Sequence, residues 1–567
     1  MTQYLVTLKK GTDIDAFYNE METSGGSSTI PDREVTCYKR KPISRTTGYD
    51  LEDSEVESLL NDDRVIGIDS QELLDSSVCE PSWEQTSNNW RKSQSISATD
   101  KNWALYRCIL GSQLSNWGTD GTTSKSATVA TTSSGKNVDV VIVDGHFDPN
   151  HPEFAVNPDG TGGTRVQQFN WLSLTSQAIG GSNGTYTYRS GTDLDNGDDN
   201  HGAHVAATVA GNTQGWARDA NIYYISPYDR DPNVQVSFPD VFDYIRVWHS
   251  QKSVNPETGR KNPTIVNNSW GNWFNYARSD LSEINYRGTV DTTGSWTDAE
   301  LQAYGIRKWI DDNGVTKIRH PVTDQFSQYL AEIEDAVDEG IILVGAASNH
   351  SEKIDIRNGN DYDNYMKFAS NVPFYYNRGS WVTSSTKLDS NGINTIRLSV
   401  CVGAVSSLAN ESKATFSNCG PRVDVFAPGE DIISAVHGNT TNLGYGIATQ
   451  DDQRNTSYKL AKYDGTSMAS PQVCGVLACL LEQYPNMNQS DIMDYINQHA
   501  KDDQMTTTSG GVTDLTDLQG ADNKYLFYHK ERPETGVSIP RYTYRERKST
   551  TNGVKYPRVN RMVTKPQ

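Results

Sequence analysis

Four short runs rich in Val, Ile and small residues set the tightest limit on how this chain can fold. They are NVDVVIVD ending at Asp144, TIVNNSW ending near Trp270, IILVGAAS ending at Ser348 and RLSVCVGAV ending at Val405. Near-continuous apolar runs of this length suit strands covered on both faces. Between and after them lie segments with helical spacing at 201–211, 236–252, 326–339 and 467–482. Strands alternating with helical crossovers predict a parallel sheet in an α/β layer architecture. Ligands in such sheets sit beyond the C-terminal strand ends, and the polar residues cluster at those ends.

With 567 residues the chain is long enough for two or three domains. Its net charge of −20 argues against a general binder of nucleic acid or anionic membrane. No apolar stretch reaches the roughly 18 residues a membrane span needs. The start, MTQYLVTLKKG, lacks a charged segment followed by an apolar one, so no secretory signal is expected, and both intracellular and virion-associated settings stay open. The seven cysteines are scattered without metal-type pairs and read as mostly reduced core residues.

Residues 4–9, 33–41 and 64–69 have strand character, and 12–23 and 53–62 have helical character. That order within about 75 residues fits a small α+β sandwich. The polar stretch 76–100 reads as a linker. The main domain is expected over 101–505, with polar, irregular insertions near 272–325 and 350–395, long enough to be decorations around a site or surfaces for a partner. Residues 506–567 read as an extended tail. From Lys530 onward it carries ten Lys/Arg against three Asp/Glu, and it suggests an assembly partner.

Three polar residues stand at these element ends. Asp144 closes a buried strand, and in isolation it could merely cap a turn. His201 opens HGAHVAATVAG, where the first turn of a helix favours a neutral imidazole; His204 one turn on reads as a packing residue. Ser467, in DGTSMASPQ, sits where a helix begins and could be an N-cap. In chain order they run Asp, His, Ser.

The surrounding motifs resemble the subtilisin-like serine proteases (subtilase family, peptidase S8): VVIVDGHFDPNHPEF, NHGAHVAATVAG and YDGTSMASPQVCGVLACLL, supported by GIILVGAASNHS and ATFSNCGPRVDVFAPGEDIISAV. The resemblance covers about residues 103–500. It implies a subtilisin-like three-layer α/β sandwich with a mostly parallel sheet, preceded by a small α+β, ferredoxin-like propeptide domain over residues 1–75. It further implies peptide hydrolysis through an acyl-enzyme, with Ser467 as nucleophile, His201 as general base, Asp144 orienting the imidazole and Asn349 donating to the oxyanion. NNSWG matches the family's substrate-pairing edge strand, which makes Ser269, Trp270 and Gly271 candidate substrate-binding residues. Ser348 stands where glycine is usual, and Trp270 where leucine is frequent. Ala203 and Gln472 replace a usual threonine and histidine.

The expected partners are a protein or peptide substrate and the chain's own N-terminal domain as an intramolecular inhibitor, with processing within Gln71–Glu80. The chemistry requires no cofactor. Family members often hold structural calcium, but the acidic loop GTDLDNGDDN at 191–200 matches no ligand loop; a solvated loop and a negative rim favouring basic substrates are the other readings. The alternative to an active zymogen is a protease fold kept as a structural component, for example of a virus particle. A non-proteolytic acyl hydrolase is disfavoured because GTSMASP is not a GxSxG elbow.

Overall fold

The computed structural model describes residues 2–23, 30, 33–40, 45–70, 83–92, 96–97, 99–113, 124–173, 185–189, 194, 197–227, 236, 238–310, 314–325, 327–368, 372–388, 395–438, 447–507 and 514–529. The chain forms two compact units, 1–80 with 532–567, and 81–531.

In the small unit, strand Thr2–Leu8 pairs antiparallel with both Thr46–Leu51 and Val65–Ser70, and Thr36–Lys39 extends the sheet beyond Thr46–Leu51. Two helices, Ile14–Glu22 and Asp53–Leu60, complete the β-α-β-β-α-β order. Asp13 caps the first helix, its carboxylate accepting from Ala16 N at 3.0 Å. The apolar face of that helix, Phe17, Tyr18 and Met21, packs with Val6, Leu8, Tyr49, Leu51 and Leu59. The ferredoxin-like order is present. TTGYDL does not read as a strand from its sequence, because only Tyr49 and Leu51 are large and apolar, although Thr47 and Gly48 are buried in the sheet beside them.

The large unit is built on a nine-stranded sheet. In spatial order its strands are Lys501–Asp502, Lys524–Tyr525, Val425–Pro428, Val400–Val405, Ile342–Ala346, Thr264–Asn268, Asp139–Val143, Asn221–Ile225 and Val166–Gln167. Only the first pair is antiparallel. Its central register sets Val140 beside Ile265, and Ile265 beside Ile342. The unbroken apolar runs follow from two-sided burial. Val140 and Ile142 enter a core shared with helices Gly197–Ala210 and Thr466–Gln483, whereas Val141 and Val143 enter a second core with Asp240–Gln251 and Ser327–Asp338. This is the expected three-layer sandwich.

Three expectations need correction. First, much of the supposed linker is folded. Trp83–Trp90 pairs antiparallel with Lys125–Thr131, both tryptophans are buried, and Lys92 Nζ reaches Glu411 at 2.5 Å in the interior. Second, the two insertions are not irregular. They contribute the sheets of Trp273–Ala277, Thr316–Pro321 and Lys308–Ile310, and of Thr289–Asp291, Glu283–Tyr286, Tyr365–Lys367 and Pro373–Tyr375, around a core that includes Ile284, Ile318, Met366 and Phe374. Third, the main unit continues past 505: Leu518, Tyr525, Leu526 and Tyr528 are buried in its core. The basic segment from Lys530 and the processing region Gln71–Glu80 lie outside the described residues. No described helix is long and apolar enough to cross a membrane.

Candidate active site

Asp144 follows the strand Asp139–Val143 directly and is buried. Its Oδ1 accepts from Gly145 N at 2.8 Å and from His201 Nδ1–H at 2.8 Å. A carboxylate at Nδ1 keeps the proton there, so the lone pair of the neutral ring lies on Nε2. The pairing depends on Gly202. A Cβ at this position would lie 2.2 Å from Gly145 O, so the His201 helix rests directly on the backbone beside Asp144. That helix starts at Gly197, so His201 is its fifth residue and not part of its first turn. Its ring is about one-third exposed. His204 is fully buried; its Nε2–H donates to Ile432 O at 2.8 Å, its ring stacks on Tyr463, and burial pushes its pKa down to about 3.

Ser467 is the second residue of helix Thr466–Gln483, and Gly465, at φ +153°, occupies the N-cap; the capping reading for Ser467 is therefore excluded. The Ser467 hydroxyl donates to Ser269 O at 3.0 Å. Pro471 lies inside the helix and has no N–H to give to the Ser467 carbonyl four residues earlier. Ser269 Oγ takes that role, donating to Ser467 O at 2.9 Å. The proline thus frees an acceptor through which the strand exit at Ser269 is tied to the serine helix. The helices of His201 and Ser467 pack against each other. Gly475 allows this, since a Cβ there would sit 2.8 Å from Val209 O.

Asn349 lies on the loop after strand Ile342–Ala346 and is exposed. Its Oδ1 accepts from Thr466 N at 2.9 Å and Thr466 Oγ1 at 2.8 Å. Two donors on the oxygen fix the amide orientation and turn Nδ2 toward the start of the serine helix, where a Cβ on Gly465 would be 3.4 Å from it. The sequence reading missed Thr466, although it stands within the GTSMA motif. Ser348 has φ +86°, which accounts for glycine being usual at this position.

Thr264–Asn268 is an interior strand, flanked by Asp139–Val143 and Ile342–Ala346, so NNSWG is not an edge strand. The strand is paired on both sides up to Asn268, and Ser269, Trp270 and Gly271 lie beyond that pairing. The Ser269 side chain faces inward, and buried Trp270 stacks on Phe238 with centroids 5.0 Å apart. Gly271 faces Ser380, whose Cβ is 3.7 Å from where a glycine Cβ would be. Buried Gln472 accepts from Trp216 Nε1 at 2.7 Å, and Ala203 is buried. Of the acidic loop, residues 191–193, 195 and 196 lie outside the described residues, and 197–200 begin the His201 helix. Among the described residues no group of three or more His, Cys, Asp or Glu is arranged to hold a metal ion.

Fold and site together define a three-layer α/β protein with a bonded carboxylate–imidazole pair and a serine in the first turn of a helix. Residues 135–525 match the model of the subtilase family. Alkaline protease 1 of Emericella nidulans is 24% identical over 391 residues, covering 69% of this chain and 63% of its own. The Extracellular protease of Xanthomonas campestris pv. campestris is 29% identical over 217 residues, covering 37% of this chain and 34% of its own. The chain therefore spans less than two thirds of the length of these relatives. A solved structure described as a cold adapted subtilisin-like serine proteinase aligns with a TM-score of 0.40 at 18% identity, over 76% of this chain and 98% of that chain. The chain belongs to the subtilase family.

Proposed function

We propose that this chain is a serine endopeptidase in which Asp144, His201 and Ser467 act as a catalytic triad and Asn349 as an oxyanion donor. The observation that carries this reading is the His201 Nδ1–H bond to Asp144 at 2.8 Å, which leaves Nε2 as a base. Family membership supplies the reaction class. In the first step Ser467 Oγ attacks the scissile carbonyl carbon while His201 Nε2 takes its proton, and the carbonyl π pair moves to oxygen. Asn349 Nδ2 and the Ser467 backbone N–H stabilise that oxyanion at the positive end of a helix. Collapse expels the amine, protonated by His201, and water repeats the sequence on the acyl-enzyme. Asp144 orients the ring and stabilises the imidazolium. In the resting arrangement the Ser467 hydroxyl points to Ser269 O, so substrate entry is accompanied by its rotation toward His201.

The small unit, with its own core, is read as a propeptide that inhibits the protease until it is cut within Gln71–Glu80. Ser467→Ala should abolish labelling by a fluorophosphonate, together with the cleavage within Gln71–Glu80 that is expected of the wild type and would be read by intact-mass measurement. Labelling that persists in the alanine variant refutes the triad. An unlabelled, uncut wild type favours the structural-component reading.

A further inference from the structure

The loop that carries Asn349 is held in an unfavourable shape. Ser348 at φ +86° and Ser351 at φ +55° are both non-glycine residues in left-handed backbone, one on either side of Asn349. Such conformations persist only where the surroundings over-determine them. Thr466 grips the tip of the Asn349 side chain, and its Oγ1 also accepts from Ser348 N at 3.2 Å, which ties the backbone on the N-terminal side of Asn349 and leaves the C-terminal side to other groups.

One residue reaches both sides of that backbone. Asn418 is fully buried. Its Oδ1 accepts from His350 N at 3.1 Å and from Glu352 N at 3.0 Å, and its own N–H donates to Ser348 O at 2.9 Å. A single side chain and its amide thus bind the loop at 348, 350 and 352, bracketing Asn349. The amide orientation is settled by chemistry, because both groups facing the oxygen are N–H donors and a flipped amide would set donor against donor. In this orientation Asn418 Nδ2 is buried and has no hydrogen-bond partner among the described residues. Both hydrogen bonds that its side-chain oxygen accepts come from loop N–H groups, so the side chain serves the loop. Neighbouring bonds extend the clamp: Ser351 N donates to Phe416 O at 2.8 Å and Cys419 N to Glu352 O at 2.9 Å.

We infer that Asn418 is a positioning residue for the oxyanion donor, fixing the backbone of Asn349 so that its Nδ2 meets charge that develops only in the transition state. The inference rests on the endopeptidase reading of the site. It predicts an effect on turnover rather than on substrate binding, because a misplaced donor costs transition-state stabilisation alone.

The test uses the full chain, with active sites titrated by a fluorophosphonate and hydrolysis of a peptide p-nitroanilide measured for Asn418→Ala and Asn418→Asp. Both are made in the wild-type and Asn349→Ala backgrounds. Asn418→Ala should lower kcat by about 10- to 100-fold, the scale of a donor displaced by up to about 1 Å, with KM within about threefold. Asn418→Asp keeps an acceptor oxygen for the two N–H groups and should recover kcat to within about fivefold of wild type. In the Asn349→Ala background Asn418→Ala should change kcat by less than about threefold, because the donor it positions is gone. Should Asn418→Ala not fold, Asn418→Ser, which shortens the reach of the acceptor, replaces it in the same cycle with the same expectation. The positioning role is overturned if kcat is unchanged in the wild-type background, or if the same loss recurs without Asn349. A null effect of Asn349→Ala alone would instead overturn the oxyanion assignment, which separates the two failures.

Discussion

Gly202→Ala tests whether the Asp144–His201 pair depends on direct contact between backbones. The added Cβ would stand 2.2 Å from Gly145 O, 2.7 Å from Gly145 C and 3.0 Å from Gly145 N. All three are main-chain atoms, so no flexible side chain can yield. An ordinary carbon–oxygen contact needs about 3.2–3.4 Å, so the His201 helix and the Asp144–Gly145 backbone must separate by about 1 Å. That separation falls on the bond between Asp144 Oδ1 and His201 Nδ1, now 2.8 Å. A bond stretched beyond about 3.6 Å is no longer one. The expected result is a kcat lower by about 10²-fold, the usual effect of a 1 Å misplacement, and a stability loss of about 1–3 kcal/mol from overpacking. Turnover per titrated site and thermal melting report the two separately. Gly271→Ala is the control for the melting measurement alone, since its Cβ would meet only Ser380 Cβ at 3.7 Å, an ordinary contact. A Gly202→Ala enzyme with kcat within threefold of wild type and an unchanged melting temperature would refute the argument.

Asn349→Ala should fold normally and lose roughly 10²–10³ in kcat, the magnitude associated with removing one oxyanion donor; loss of less than threefold in steady-state assays contradicts the assignment. Glu411→Gln should destabilise the protein by about 3–5 kcal/mol in denaturant titrations, because it strands two buried cations, Lys92 and Arg107, now 2.5 and 2.7 Å from its carboxylate. A loss below about 1 kcal/mol would show that the cations find other partners. Burial, reinforced by the Asp464 and Asp431 carboxylates, pushes the Glu430 pKa up to about 7. The folded state then binds a proton that the unfolded state releases from about pH 4.5 upward, so the stability from this group is present at low pH and declines as pH rises toward 7. Glu430→Gln should therefore raise the melting temperature more at pH 8 than at pH 5; an equal shift at both values counts against a raised pKa.

The main sheet and the candidate site residues were legible because each is marked by local sequence. Val140 to Val143 are apolar at every position because the strand is covered on both sides, and Asp144, His201 and Ser467 lie in motifs a few residues long. Distant partners were not legible. TTGYDL and WEQTSNNW look polar, yet both are strands: Thr47 and Gly48 are buried by the sheet around them, and Trp83 and Trp90 at the ends of the second are buried while intervening side chains reach solvent. The two insertions share one core, in which Ile284 and Ile318 from one stretch are buried with Met366 and Phe374 from the other, a pairing across distant sequence. The same holds at the site. The sequence names Ser467 and Asn349, but the hydroxyl of Ser269 on the Ser467 carbonyl, the fit of Gly202 on Gly145 and the hold of Asn418 on the Asn349 loop join residues 50 to 200 positions apart. Short-range pattern determines which residues face the core or end a strand. Which backbone groups lie within hydrogen-bond reach of one another is decided only when the sheet, helices and loops have packed.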